Sequence, residues 1–175
     1  MKCISNIQSP TRSLLSALMV AAMLAFGAQA YADNISGSFT VKVAKQEVLP
    51  LSAQGGDMLM LAESQGTNKS TNWMDGAQVV NKEVAALLQG SGPQHGYLTF
   101  TKGDDQVEVK WGGHVSTVMA NDQPQISFQG TWEQVKGTGK YQGIQGQGTY
   151  RGHYISQTDY VVNWVGKSTV PVASK

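Results

Sequence analysis

Residues 136–152 read KGTGKYQGIQGQGTYRG, with six glycines in seventeen positions and a Gly-Lys pair near the start. A phosphate-binding P-loop needs G-x-x-x-x-G-K and then Ser or Thr, whereas a tyrosine follows Lys140 and Gln134 takes the place of the first glycine. A dinucleotide-binding G-x-G-x-x-G pattern also fails, because Gln142 or Arg151 stands where its third glycine belongs. The segment that follows is strand-like, so no helix N-terminus is available to hold an anion.

The same residues fit a strand with one glycine-rich face. Gly146, Gly148, Tyr150, Gly152 and Tyr154 share parity, which places all five on one side of an extended chain. Glycines on one face allow a strand to coil sharply, or allow a ring or another backbone to approach closely. The stretch therefore predicts a turn and a curved strand of a barrel wall.

The alternation of apolar residues predicts further strands along the chain. Phe39, Val41 and Val43 fall on one face of the first, and 107–111 alternate in the same way. A short loop at 103–105 suits a β-hairpin. With seven or eight strands and short connections, we expect an all-β fold, a small antiparallel eight-stranded β-barrel, with a β-sandwich as the alternative.

One segment has the spacing of a short amphipathic helix. Asp75 is placed to cap its N-terminus, and Val80, Val84, Leu87 and Leu88 recur at the spacing of a single helical face. Gly90 and Pro93 follow as helix-ending residues. We expect this helix to cover an open side or end of the sheet.

Residues 1–32 have the three-part pattern of a cleaved signal peptide. Basic residues precede an uncharged apolar run at 14–26, which is too short to span a bilayer, and small residues allow cleavage before Tyr31 or Asp33. We expect an exported protein, periplasmic or secreted, whose mature form has no membrane anchor. Residues 33–175 then make one domain, a single β-barrel.

Composition excludes several classes of function. The only cysteine, Cys3, lies in the segment to be removed, so the mature chain has no thiol for a disulfide, a zinc site or nucleophilic catalysis. Eleven basic and twelve acidic residues remain after position 32, with Arg151 as the single arginine. Without a basic stripe or clustered arginines, we expect no nucleic-acid partner.

The run GTWEQVKGTGKYQGIQGQGTYRGHY at 130–154 resembles the C-terminal half of the allene oxide cyclase and dirigent-like barrels. It is most similar to uncharacterised bacterial proteins with an allene oxide cyclase barrel-like domain, in which a G-T-G-K/R-Y/F turn leads through G-I-x-G-x-G into the next strand. The resemblance implies an eight-stranded, calycin-like barrel that holds apolar ligands, and a homo-oligomer, either trimer or dimer. Plant members cyclise an epoxide or steer the coupling of phenolic radicals. Their catalytic groups have no position-by-position match here, and a shared fold is a weak warrant for shared chemistry.

Glu63 is the candidate for acid-base chemistry. It shares parity with Leu59 and Leu61, which predicts a carboxyl group on the inward face, where burial would raise its pKa. The alternative is a strand-end glutamate that reaches water. Asn68 and Trp73 lie in or beside the following loop, where they would rim the mouth of a barrel.

Aromatic residues on separate strands supply the other candidate ligand contacts, and these are Tyr97, Trp111, Trp132, Tyr150 and Tyr154. In a small barrel, inward aromatic side chains line either a filled core or a ligand cavity. The sequence leaves both alternatives open.

Metal and cofactor sites find no support in the spacing. His95, His114 and His153 fall on separate segments, and Met58 and Met60 are spaced like strand core residues and not like copper ligands. No G-x-S-x-G occurs after position 32. We therefore expect no metal and no cofactor.

Three hypotheses follow from the sequence. The first is an exported barrel that binds a small apolar or aromatic ligand without catalysis. The second is an isomerase or cyclase that acts on a lipid-derived or phenolic substrate through Glu63. The third is a structural or interaction protein with a filled barrel.

Overall fold

The computed structural model describes residues 32–53 and 55–169. They form a closed barrel of eight antiparallel strands in chain order, which closes where the first strand pairs with the eighth. The predicted all-β, eight-stranded antiparallel barrel is therefore confirmed. The strands are β1 Asp33–Pro50, β2 Met58–Lys69, β3 Gln78–Leu87, β4 Gly92–Lys102, β5 Asp105–Ala120, β6 Gln123–Gly137, β7 Gln145–Tyr154 and β8 Asp159–Thr169.

Side chains alternate between the barrel interior and the solvent, as the period of a strand requires. Phe39 and Val41 are buried as expected, and Val43 is partly buried and packs against the core. In β5, Val107, Val109 and Trp111 are buried, with exposed or half-buried residues between them. The predicted hairpin at 103–105 is confirmed, because Lys102 pairs with Asp105 across a two-residue turn.

The predicted amphipathic helix is wrong, because its residues form strand β3. Val80 and Val84, which define one face of the expected helix, lie on the outer face of the barrel wall. Asp75 caps no helix; its carboxyl group accepts a 3.0 Å hydrogen bond from the backbone N–H of Ser70 in the β2–β3 loop. Pairing of β3 with strands on both sides overrides the helical spacing of a few apolar residues.

One end of the barrel is closed by two loops. In the β2–β3 loop, Trp73 and Met74 are buried, and Trp73 packs edge-on against Phe100 and Trp164 with ring centroids 5.0 and 5.4 Å apart. In the β6–β7 loop, Tyr141 is buried and its ring centroid lies 6.3 Å from that of Trp73. The two loops together make the floor of the barrel.

The stretch 136–152 forms the end of β6, a short 3₁₀ turn at Gly139–Tyr141, and most of β7. Gly139 and Gly143 have φ values of 57° and 75°, which favour glycine. The backbone N–H of Lys140 donates a 3.1 Å hydrogen bond to the carboxyl group of Asp105, which fixes the turn to the β4–β5 hairpin. The expected turn leading into a barrel strand is confirmed.

Aromatic rings lie over the inward glycines of β7. A Cβ atom at Gly148 would lie 2.6 Å from the Trp132 ring, and Gly152 faces the ring of Phe128 in the same way. Both rings come from β6, the neighbouring strand. The glycine face therefore accommodates large interior side chains at close backbone approach.

The predicted signal peptide lies outside the described residues, except for Ala32. In the part of the chain that is described, no helix has the length and apolar character needed to cross a membrane.

Candidate functional site

The barrel encloses a cavity of about 340 Å³. Trp73, Trp132 and Trp164 line its deep end, at the closed floor. At the opposite end, the cavity reaches Gln46 near the end of β1 and Gln157 in the β7–β8 loop. The interior is therefore reached from the end of the barrel that the floor loops leave open.

The walls are mainly apolar and aromatic, with a small group of polar side chains. Lining residues from β3, β4 and the strands opposite include Asn81, Glu83, Gln94, Tyr150, Tyr154 and Tyr160. Glu83 is the one charged side chain among the described residues that line the cavity. Apolar walls with a few convergent polar groups are typical of small-molecule sites.

Asn81 holds this polar group together. Its side-chain nitrogen donates hydrogen bonds of 2.6 Å to the Glu83 carboxyl group and 2.9 Å to the Tyr160 hydroxyl oxygen. Its side-chain oxygen accepts a 2.9 Å hydrogen bond from the indole N–H of Trp111. Strands β3, β5 and β8 thus meet at one buried amide, and the orientation of Asn81 is set by its partners.

Burial changes the ionisation of the cavity residues. It raises the pKa of Glu83, and the hydrogen bond from Asn81 opposes that shift only in part. Burial, followed by the nearby Glu83 carboxylate, raises the pKa of Tyr154 to about 12. The same two effects hold the pKa of Tyr160 well above its usual range. The tyrosines therefore stay neutral at physiological pH, and Glu83 gains a proton more readily than an exposed glutamate.

The Tyr150 hydroxyl group is buried and has no well-formed hydrogen bond among the described residues. Burial raises its pKa far above the usual range, although the Gln94 side chain lies close enough to lower it slightly. A buried hydroxyl group without a full partner is available to a ligand.

Aromatic rings form a continuous arc along the wall made by β5 to β8. The Tyr150 ring lies 5.6 Å from that of Trp111 and 6.4 Å from that of Phe128. The Phe128 ring in turn lies 6.1 Å from Tyr154 and 5.5 Å from Tyr160. We call Trp111, Phe128, Tyr150, Tyr154 and Tyr160 the aromatic arc.

Five of the residues predicted from the sequence line the cavity, namely Trp73, Trp111, Trp132, Tyr150 and Tyr154. The structure therefore brings together aromatic residues that the sequence places on separate strands. Trp73, however, lies in the floor at the closed end, and not at the rim of the mouth as expected.

Asn68 is fully buried and has a structural role. Its side-chain nitrogen donates 3.0 Å hydrogen bonds to the backbone carbonyls of Trp73 and Met74, and its oxygen accepts one of 3.2 Å from the Trp164 indole. It holds the floor loop against β8 and is not among the residues that line the cavity.

Glu63 and Tyr97 lie on the outer face of the barrel. The prediction that Glu63 points inward is wrong: its carboxyl group accepts a hydrogen bond from Gln65 and lies 4.0 Å from the Lys82 ammonium group. Tyr97 is 54% exposed. Both strand faces are apolar in this part of β2, with Leu59 and Leu61 outside and Met60 inside, so parity alone misassigns the interior.

The three histidines point away from the cavity and are exposed. Within the described ranges, no three His, Cys, Asp or Glu side chains come close enough together to hold a metal ion. Met58 and Met60 are partly buried and pack against the barrel core.

Sequence reasoning missed Glu83, Asn81 and Tyr160. The first two fall in the segment predicted as a helix, where polar residues between the apolar positions indicate a solvated face. Read as a strand, Val79, Asn81, Glu83, Ala85 and Leu87 share one face, which is buried throughout. That parity was the signal available in the sequence.

No protein-family model and no curated protein matches the chain. Among solved structures, it is similar to the pterocarpan synthase dirigent protein GePTS1, with 12% sequence identity and a TM-score of 0.46 over 91% of this chain and 100% of that one. It is also similar to the pterocarpan synthase dirigent protein PsPTS1, with 10% identity and a TM-score of 0.46 over 82% and 97% of the two chains.

Proposed function

We propose that this chain is an exported protein that binds one small apolar or aromatic molecule inside its barrel. The observation that carries the proposal is the cavity of about 340 Å³ with its apolar walls and its small polar group. Ligand pockets in proteins commonly measure about 300–1,000 Å³, so this cavity suits a compact ligand. Export is the part of the proposal that rests on the signal pattern at 1–32.

A filled barrel, the third hypothesis, finds less support. The interior of a small eight-stranded barrel is just wide enough to be filled by its own side chains. Here the glycines at 148 and 152 let the Trp132 and Phe128 rings approach the backbone of the wall closely, and a cavity remains inside the barrel.

Intrinsic tryptophan fluorescence can report ligand binding, because all four tryptophans of the chain line the cavity. A ligand that enters the barrel must contact or approach at least one of them. The mature protein should be purified under native conditions, and bound small molecules identified by mass spectrometry. Tryptophan fluorescence should then be titrated with a panel of lipids and phenols. A protein that carries no small molecule and shows unchanged fluorescence across the panel would overturn the proposal.

An isomerase or cyclase, like that expected from the allene oxide cyclase resemblance, is the second candidate. The observation that favours it is the Glu83 carboxyl group, which faces the cavity beside Asn81 and Tyr160 and has a raised pKa. A carboxyl group with a pKa nearer neutrality is suited to proton transfer. Glu83, and not the outer-face Glu63, is therefore the group to test.

A matched pair of variants separates binding from catalysis. If the panel contains a compound that the protein converts, Glu83→Gln should abolish turnover and retain binding, whereas Glu63→Gln on the outer face should change neither. Conversion that survives Glu83→Gln would exclude this mechanism.

A further inference from the structure

The charge of the cavity wall restricts the ligands that it accepts. Glu83 is the one charged side chain among the described residues that line the cavity, and no lysine, arginine or histidine joins it there. In a site of low dielectric constant, a ligand carboxylate or phosphate would meet repulsion from Glu83 without any compensating cation. The wall therefore disfavours anions.

The Glu83 carboxyl group accepts fewer hydrogen bonds from the described residues than it has acceptor positions. In the described part of the chain it receives one hydrogen bond, from Asn81 at 2.6 Å. An ionised carboxylate has about four acceptor positions, and a buried charge is stable only when it is paired and hydrogen-bonded. A ligand group that brings both hydrogen-bond donors and a positive charge would satisfy the remaining acceptor positions of this carboxylate.

The aromatic arc provides the surroundings that such a group needs. The Tyr160 hydroxyl oxygen and the Glu83 carboxylate share the same Asn81 nitrogen, so the end of the arc lies next to the carboxyl group. The Tyr154 and Tyr160 rings are 5.2 Å apart, and Phe128 packs against both. Aromatic faces attract cations, most strongly where water is excluded.

We propose, building on the proposed function, that the cavity selects a ligand with an ammonium group on an apolar or aromatic body. The ammonium group is paired with Glu83 and bounded by the rings of Tyr154 and Tyr160. The apolar body extends toward Trp132 and Trp164 at the deep end. An ammonium group supplies three N–H donors and a positive charge that pairs with the Glu83 carboxylate.

Binding of the ammonium group is linked to the protonation state of Glu83. An alkyl ammonium group has a pKa near 10, so the ligand arrives charged at neutral pH. Where Glu83 is protonated in the free protein, it releases that proton to solvent as the ammonium group binds. The other titratable groups that line the cavity are Tyr150, Tyr154 and Tyr160, and burial raises the pKa of all three. They remain neutral between pH 5 and 8. Among the groups that line the cavity, Glu83 is therefore the one that releases a proton when the ammonium group binds.

Three compounds with the same body and different head groups test this inference, namely 4-phenylbutylamine, 4-phenylbutanol and 4-phenylbutanoate. Their affinities for the mature protein should be measured at pH 7.5 by isothermal titration calorimetry. We expect the amine to bind at least about tenfold more tightly than the alcohol, and the carboxylate to bind most weakly. Equal or tighter binding of the alcohol would overturn the inference.

Glu83→Gln should remove the preference for the amine, so that the amine no longer binds more tightly than the alcohol. Glu63→Gln, which removes an outer-face carboxylate, should leave all three affinities unchanged. A preference for the amine that persists in Glu83→Gln would also overturn the inference.

Measurements on the wild-type protein keep the test decisive if Glu83→Gln fails to fold. The ratio of amine to alcohol affinity should rise as the pH rises from about 4.5 and Glu83 ionises, and titrations at the low-pH end in buffers of different ionisation enthalpy should detect proton release with the amine only. A ratio that is independent of pH, without proton release, would contradict the role of Glu83.

Alcohol binding without a preference for the amine would reject this inference and leave the proposed function intact. A lack of binding by every compound in the series and in the panel would reject both the inference and the proposed function.

Discussion

Asn81 donates a 2.6 Å hydrogen bond to Glu83 inside the barrel, and this contact organises the polar part of the cavity. Through the same side chain, Asn81 also bonds Tyr160 and Trp111. A buried carboxyl group without a fixed donor would reorient or remain fully protonated. The Asn81 amide therefore determines where the cavity presents its single acidic group.

The first prediction concerns the stability that this amide provides. Asn81→Ala should lower the free energy of unfolding by about 1–3 kcal/mol, because it leaves the buried Trp111 N–H and the Glu83 carboxyl group without their partner. Urea unfolding followed by tryptophan fluorescence measures the change. Asn163→Ala, on the exposed face of β8, is the matched control and should have little effect. Equal effects of the two substitutions would contradict the structural role of Asn81.

The second prediction concerns pH. Burial raises the pKa of folded Glu83 above that of the unfolded chain, so between the two values the native state binds more protons. Stability that comes from Glu83 is therefore fully present below the unfolded pKa of about 4.3, and is lost as pH rises through the folded pKa. The loss amounts to about 1.4 kcal/mol for each unit by which the folded pKa exceeds the unfolded one.

Unfolding free energies of the wild type and Glu83→Gln should be compared from pH 4 to 8. We expect the wild type to lose stability relative to Glu83→Gln as pH rises, and the difference to level off once Glu83 is ionised in the folded state. A difference that does not change with pH would show that the carboxyl group is not titrating in the interior.

The third prediction concerns the glycine face of β7. Gly148→Ala should destabilise the protein by about 1–3 kcal/mol, because the added methyl group would meet the Trp132 ring and the backbone of β8. Gly112→Ala in β5 is the control, since its nearest neighbours would lie 3.9 Å away, and it should be neutral or slightly stabilising. Thermal unfolding of the two variants makes the comparison. A tolerated methyl group at 148 would contradict the close ring-to-backbone packing.

The fourth prediction concerns the floor. Trp73→Ala should cost about 3–5 kcal/mol of stability, because it removes a buried ring that packs on Phe100 and Trp164. Tyr97→Ala removes an exposed aromatic side chain from the outer face and should change stability by less than about 1 kcal/mol. Chemical denaturation of both variants tests the assignment. Similar small losses would mean that the Trp73 loop does not seal the barrel.

The glycine-rich stretch predicted the barrel because its parity is unambiguous. Inward glycines and tyrosines alternate with polar residues throughout β7, so only one face can be interior. The expected hairpin at 103–105 and the first strand succeeded for the same reason. Where alternation is clear, strand, face and turn all follow from local sequence.

The sequence was misleading where both faces of a strand carry apolar residues. Val84 on the outer face of β3 is 36% exposed, and its cross-strand neighbour Leu61 is 54% exposed. Shared parity with Leu61 predicted an inward Glu63, and Val84 gave β3 the spacing of a helix. Glu83 faces the interior because closure of the barrel fixes the register of every strand, which is tertiary information that no local window contains.

Uptake of a neutral dye tests the binding cavity most directly. N-phenyl-1-naphthylamine is uncharged at neutral pH and fluoresces in apolar surroundings, so its titration reports access to the barrel interior. Ile126→Trp fills space at the cavity wall, whereas Val165→Trp adds the same ring to the outer face, where Val165 is 55% exposed. We predict saturable binding by the wild type and Val165→Trp, and affinity at least about tenfold weaker in Ile126→Trp, equivalent to about 1.4 kcal/mol. Undiminished binding in Ile126→Trp, or no binding by the wild type, would contradict a ligand-binding cavity inside the barrel.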